Sequence, residues 1–364
     1  MSELEKSLLE AAKTLNLEAV QELLKKGADA TYIEDPEGVW GSRAKNGPLH
    51  LALRKRPYKS DEDVSSYREQ IDNWTSVARS LIEAKADVNA VSEEFDWRGC
   101  GHAESAFDLA IPFVVQDIAF LELFLGHGAD PNTVRLHEVH SMRTDGRSQV
   151  PILHEAVKEG QIAAVRTLLE HGAWVDAFSH QEFFNERGFN RHTEETALHL
   201  ACDAGDLPMC ALLLSKGAQV NTWRKRTEHV PSLTPSPTDD PRDARFVSSV
   251  LCVPIEETAL HIALQQKNPE LATLLVCSGA DLTLPRRRDG KASSCQELCE
   301  GEERLAEALK ATWSPETHHL FPSKVRESVK TALMISQRQK WPVPDSVLFK
   351  VCAMFAGPDQ AVAS

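Results

Sequence analysis

The chain has 364 residues, 42% hydrophobic and 26% charged, with 40 Lys and Arg against 54 Asp and Glu for a net charge of −14. The apolar fraction supports a packed interior, and the length fits two or three domains or one extended repeat array. The negative balance repels a phosphate backbone and argues against nucleic acid as partner, while the absence of any run of about 18 apolar residues argues against a membrane span.

The start, Met1-Ser2-Glu3-Leu4-Glu5-Lys6, has no apolar signal region, so a cytoplasmic location is expected. The cysteines at 100, 202, 210, 252, 277, 295, 299 and 352 include no CxxC pair, and free thiols in a reducing compartment are expected. The sequon Asn73-Trp74-Thr75 is then idle. Arg286-Arg287-Arg288 reads as a solvated turn, with nuclear import as the alternative.

In chain order, Glu3 to Asp29 gives a polar helix, then the apolar run Val20-Gln21-Glu22-Leu23-Leu24, then Lys26-Gly27-Ala28-Asp29. Pro48-Leu49-His50-Leu51-Ala52 opens a second unit, and a charged stretch from Arg54 to Asn73 reads as a surface loop. Ala78 to Ile82 and Lys85-Ala86-Asp87 close that unit. The third opens with Ser105-Ala106-Phe107-Asp108-Leu109-Ala110, where Asp108 replaces a histidine, and closes on His127-Gly128-Ala129-Asp130. The fourth runs from Leu153-His154-Glu155-Ala156 to His171-Gly172-Ala173, and the fifth from Thr196-Ala197-Leu198-His199-Leu200-Ala201 to Lys216-Gly217-Ala218. The sixth runs from Thr258-Ala259-Leu260-His261-Ile262-Ala263 to Ser278-Gly279-Ala280-Asp281, and 289–309 reads as a degenerate closing unit.

Two motifs alternating in this order resemble the ankyrin-repeat family, whose unit opens T-P-L-H-x-A. The resemblance implies an all-α helical solenoid of six to seven units over residues 1–310, with a short helical extension over 311–364. Thr196 and Thr258 are placed to cap the first helix of their units. Glu194-Glu195 and Glu256-Glu257 bring negative charge to its positive end. The closing glycines suit a left-handed backbone. Asn268-Pro269-Glu270 reads as cap and first turn of a second helix. The opening histidines are expected to bond locally, not to bind metal.

The closing positions at 27, 85, 128, 172, 217 and 279 are 58, 43, 44, 45 and 62 residues apart, against about 33 in an ankyrin unit. Four of the insertions follow Asn89, Asn132, Asp176 and Asn221, where the family places a hairpin finger toward the concave face. The last contains Pro231, Pro235, Pro237 and Pro241, and Thr227 to Asp243 reads as a flexible loop. The fingers carry Phe95, Trp97, Phe178, Phe183, Phe184, Phe189 and Trp223 among Arg98, Arg187, Arg191, Arg224 and Arg226. Aromatic rings with arginine are the composition of interface hot spots. Packing of the rings on neighbouring fingers is the alternative. Trp97, Arg98, Phe183, Phe184, Trp223 and Arg224 are the candidate protein-binding residues, with an acidic epitope expected from the arginines. Asn89, beside Asp87 and Val88, matches the context in which a cytosolic hydroxylase modifies ankyrin asparagines.

Beyond Trp313 the repeat pattern stops. A helix with Val325 and Val329, a turn Trp341-Pro342-Val343-Pro344 and a helix with Leu348 loosely resemble a SOCS box, and residues 343–351 the start of an F-box. The SOCS-box likeness lacks its cysteine, with Lys324 or Ser328 nearby. The resemblance implies a ubiquitin-ligase adaptor at Val325, Val329, Pro342, Pro344 and Leu348. The alternative is a pair of helices capping the last repeat.

No P-loop, GxGxxG, GxSxG or HExxH motif is present. The expected function is a non-enzymatic scaffold for one or more partner proteins, without cofactor or metal. A substrate receptor of a cullin-type ligase, recruited through the tail, is the alternative.

Overall fold

The computed structural model describes residues 2–33, 46–57, 64–95, 101–140, 144–185, 190–231 and 250–309. They fall into two compact units, Met1–Leu136 with Pro151–Ala173 and His137–Val150 with Trp174–Ser364.

The first unit stacks four helix pairs. These are α1 (Glu3–Lys13) with α2 (Leu17–Lys25), α3 (Pro48–Arg54) with α4 (Val64–Glu83), α5 (Ala106–Val114) with α6 (Ile118–Gly126), and α7 (Ile152–Lys158) with α8 (Ile162–Glu170). Side chains fix the starts: Ser2 and Glu5 form a capping box on α1, and Asn16 caps α2. Asp108 does the work of the missing histidine. Its carboxylate accepts the Ser105 N–H at 2.7 Å while Ser105 Oγ accepts the Asp108 N–H at 3.0 Å. Between the second and third pairs, β1 (Val91–Phe95) and β2 (Gly101–Ser105) form an antiparallel hairpin.

Each second helix must reverse within one residue. Gly27 does so at φ 87°, and Lys85 takes the same left-handed backbone at φ 67° in the second repeat. The expected loop between α3 and α4 is corrected in part: 64–73 belong to α4, a 20-residue helix, and 58–63 lie outside the described residues. The sequon at Asn73 is thus inside a helix, its amide donating to the Leu15 carbonyl at 3.0 Å.

In the second unit, β3 (Val134–His140), β4 (Thr144–Pro151), β5 (Phe178–Asn185) and β6 (Asn190–Thr196) precede α9 (Ala197–Asp203) and α10 (Leu207–Ser215). Then come β7 (Arg224–Pro231), β8 (Val250–Glu257), α11 (Ala259–Gln265) and α12 (Pro269–Cys277). The last elements are β9 (Arg286–Arg288), β10 (Lys291–Ser293), α13 (Cys295–Leu298) and α14 (Glu303–Ala308). The strands form one sheet in the order β10-β9-β8-β7-β6-β5-β4-β3. Strand makes up about 18% of the chain, so the all-α solenoid expected from the sequence is all-α only approximately. The reading of Thr227 to Asp243 as a loop is corrected: β7 continues to Pro231, while 232–249 lie outside the described residues. The Arg286–Arg288 run is a strand, not a turn. The extension 311–364 lies outside the described residues.

Three of the opening histidines, His50, His199 and His261, fasten their repeats internally. His199 Nε2 donates to the Thr222 carbonyl at 3.0 Å, which makes Nδ1 the acceptor for the Thr196 N–H at 3.2 Å and hydroxyl at 2.8 Å. His261 repeats this between Thr258 and Leu284, and His50 between Gly47 and Ala90. Burial holds the His50 and His261 rings below the ordinary histidine pKa. Thr196 and Thr258 stand at the N-caps as expected and close capping boxes with the histidine three residues on, their hydroxyls also meeting its ring. His199→Ala leaves buried partners unpaired and is expected to cost about 1–3 kcal/mol. The readouts are a lowered melting temperature and unchanged metal content by elemental analysis; an unchanged melting temperature, or stoichiometric zinc in the wild type, rejects the structural role.

Candidate functional site

Strand periodicity builds the site. Successive side chains in a strand point to opposite faces, and directly paired residues share a face. Glu194 pairs with Lys225, Lys225 with Glu256, and Glu256 with Arg287, so four strands carry one row of alternating charge. Glu194 and Lys225 are 3.4 Å apart, and Glu256 and Arg287 are 3.1 Å apart. All four side chains reach solvent, from 23% exposed at Glu194 to 58% at Arg287.

The neighbouring row, Glu195, Arg224, Glu257 and Arg286, faces inward. Glu257 is fully buried and receives Arg224 at 2.6 Å, Arg226 at 2.8 Å and Arg286 at 3.0 Å, with Gln265 donating at 2.8 Å. Burial by itself would raise its pKa, but Arg224 and the other donors outweigh it and hold the carboxyl well below the ordinary range. Arg224 also pairs with Glu195 at 3.3 Å and with Asp203. Burial opposes its charge, yet Asp203 and Glu257 hold the guanidinium above its ordinary pKa. Glu195, where burial wins over Arg224, is raised.

Trp223 stands where the chain enters β7. Its half-buried indole stacks on His261 with centroids 6.3 Å apart and planes at 24°. The Arg287 guanidinium lies 5.9 Å from the ring centroid, within cation–π range. Trp223, Thr222 and Phe178 line a cleft of about 490 Å³ together with the exposed charged row.

The candidate residues therefore have different fates. Trp223 is in the cleft. Arg224 is corrected from a contact residue to a buried support, because its guanidinium already serves Glu195, Asp203 and Glu257. Phe183 lies in β5 opposite Gly146, and a Cβ at Gly146 would overlap its ring. Phe184 follows it in β5, its side chain outside the described residues. Trp97, Arg98, Val325, Val329, Pro342, Pro344 and Leu348 lie outside them too. Asn89 is exposed in the turn after α4. Its amide donates to the Gly128 carbonyl at 2.7 Å and its oxygen accepts the Asp130 N–H at 3.2 Å, so it also bridges to the next repeat.

Glu194, Lys225, Glu256 and Arg287 were not singled out as contact residues from the sequence. The paired glutamates look there like one acidic helix start, and only the strand register divides each pair between two faces. Among the described residues no cluster of three or more His, Cys, Asp or Glu could hold a metal ion, and no helix is long and apolar enough to cross a membrane.

The family model described as ankyrin repeats in three copies matches residues 109–224, and that of a single ankyrin repeat matches 256–287. Among solved structures, the chain is similar to the ankyrin repeat domain of Bcl-3, described as a unique member of the IkappaB protein family. That similarity is 22% identity over 84% of this chain and 98% of that one, with a TM-score of 0.45. It is also similar to the human ASB11 ankyrin repeat domain, at 20% identity over 83% of this chain and 96% of that one, with a TM-score of 0.41. No curated protein matches the sequence. The chain carries ankyrin repeats, and such repeats indicate a protein–protein interaction domain.

Proposed function

We propose that this ankyrin-repeat chain is a non-enzymatic scaffold that holds a partner protein on the strand-bearing face of its second unit. The supporting observation is the cleft at Trp223: a half-buried indole and Phe178 beneath a row of exposed charges, on a face built from inserted strands. A ring bordered by polar groups is the usual anatomy of an interface anchor. The non-enzymatic reading is supported by the pairing of the cleft's carboxylates with its cations, Glu194 with Lys225 and Glu256 with Arg287.

The test is capture of the partner by proximity labelling with the full chain, followed by affinity measurement. Trp223→Ala is expected to weaken binding by about 2 kcal/mol or more, some thirtyfold. Unchanged affinity for every captured partner moves the interface elsewhere. The same capture addresses the second reading, which rests on the Trp341-Pro342-Val343-Pro344 turn. Cullin-ligase components that are lost in Leu348→Asp, with the repeats still folded, would favour a substrate receptor; their absence from the wild type counts against it. Asn89 as a hydroxylation substrate is read from the mass of the recovered chain.

A further inference from the structure

The described arginines of β7 and β9 are engaged within the protein. Arg224, Arg226 and Arg286 converge on Glu257, Arg287 pairs with Glu256, and Arg288 with Glu228 at 2.9 Å. A carboxylate of a partner would have to displace one of these pairs to reach the arginines of β7 or β9; of the other finger arginines, Arg191 in β6 is exposed, and Arg98 and Arg187 lie outside the described residues. The cleft has an aromatic floor bordered by the carboxylates of Glu194 and Glu256, which alternate with Lys225 and Arg287.

We propose that this cleft receives an arginine side chain from a basic segment of the partner protein, the guanidinium lying on Trp223 and paired with Glu194. The assignment rests on the reading of the cleft as the partner surface. Arg287 supplies the internal precedent: its guanidinium already lies 5.9 Å from the indole centroid while bonding Glu256 at 3.1 Å. Glu194 has acceptor capacity left. Lys225 at 3.4 Å and His180 at 3.9 Å form ion pairs with it but lie beyond ordinary N–H···O hydrogen-bond distance. A carboxylate in that condition suits the two parallel N–H donors of a guanidinium. The open cleft of about 490 Å³ has room for a guanidinium group. The net charge of −14 draws a basic segment toward the chain at long range.

The experiment uses the full chain and three dye-labelled peptides of glycine alternating with arginine, lysine or glutamate, followed by fluorescence anisotropy near physiological salt. The arginine peptide is expected to bind most tightly, because an ammonium cannot stack or pair bidentately in the same way. Glu194→Gln and Trp223→Ala are each expected to weaken it by roughly tenfold or more. Glu22→Gln, on the exposed surface of α2, should leave binding unchanged and controls for attraction to net charge alone. Because Trp223 also packs on His261, Trp223→Ala is interpreted only with an unchanged melting temperature, and Glu194→Gln, in the exposed row, carries the test if it unfolds. The proposal is overturned if the arginine peptide does not bind, if the glutamate peptide binds more tightly, or if Glu194→Gln binds the arginine peptide as the wild type does. If the captured partner depends on Trp223 while the arginine peptide fails to bind, the partner surface stands and only the arginine assignment falls.

Discussion

Glu257→Ala is expected to destabilise the second unit by about 3–5 kcal/mol, the usual loss when one member of a buried ion cluster is removed. The carboxylate is fully buried and gathers three arginines from β7 and β9, so its removal strands the buried Arg224 in an interior that cannot hydrate it and takes the partner from the largely covered Arg286. Glu256→Ala, one residue away, is expected to cost no more than about 1 kcal/mol, because its ion pair with Arg287 is exposed. Thermal unfolding of both variants supplies the comparison, and near-equal melting temperatures would reject the division of the two rows. The pH dependence has a definite sign. The folded-state pKa of Glu257 is depressed, so its stabilisation is complete above the unfolded value of about 4.3 and is lost as pH falls toward the folded value. The stability difference between wild type and Glu257→Gln should therefore be constant near neutrality and shrink below about pH 4.3.

Trp74→Ala should unsettle the first unit by a comparable amount, about 3–5 kcal/mol. The indole is fully buried between Phe113 at 4.7 Å and Phe120 at 5.6 Å, and its N–H donates to the Ala52 carbonyl at 3.0 Å. It thus joins α3, α4, α5 and α6. In a repeat stack each unit is held chiefly by its neighbours, so a cavity here loosens two interfaces at once. Trp74→Phe keeps most of the volume and removes the donor, for an expected loss of about 1–3 kcal/mol. Limited proteolysis within 64–126, alongside melting, would read the effect. A Trp74→Ala chain that melts and resists protease like the wild type would show that the aromatic cluster is not what secures these repeats.

The repeat itself was legible in the sequence because its causes are local. The turn after each second helix requires a left-handed backbone, which selects Gly27, Gly128, Gly172, Gly217 and Gly279. The starts of α3, α9 and α11 use a ring acceptor three residues along, which selects His50, His199 and His261. Even Asp108 could be placed at the histidine position by spacing, though its capping geometry could not.

What depended on tertiary structure was the division of the charges. In sequence, Glu194-Glu195, Arg224-Lys225-Arg226, Glu256-Glu257 and Arg286-Arg287-Arg288 are short polar runs with ordinary local explanations. Pairing of β6, β7, β8 and β9 in one register turns Glu195, Arg224, Glu257 and Arg286 inward, the first three of them buried, and leaves Glu194, Lys225, Glu256 and Arg287 outside. A shift of one residue would exchange the two sets. Local sequence chemistry determined the helical repeat, because its caps and turns close within a few residues and its histidine bonds within a single repeat. Only strand pairing across more than one repeat decided which charges hold the protein together and which border the cleft at Trp223, because the partner strands lie some thirty residues apart and their alignment is absent from any single run.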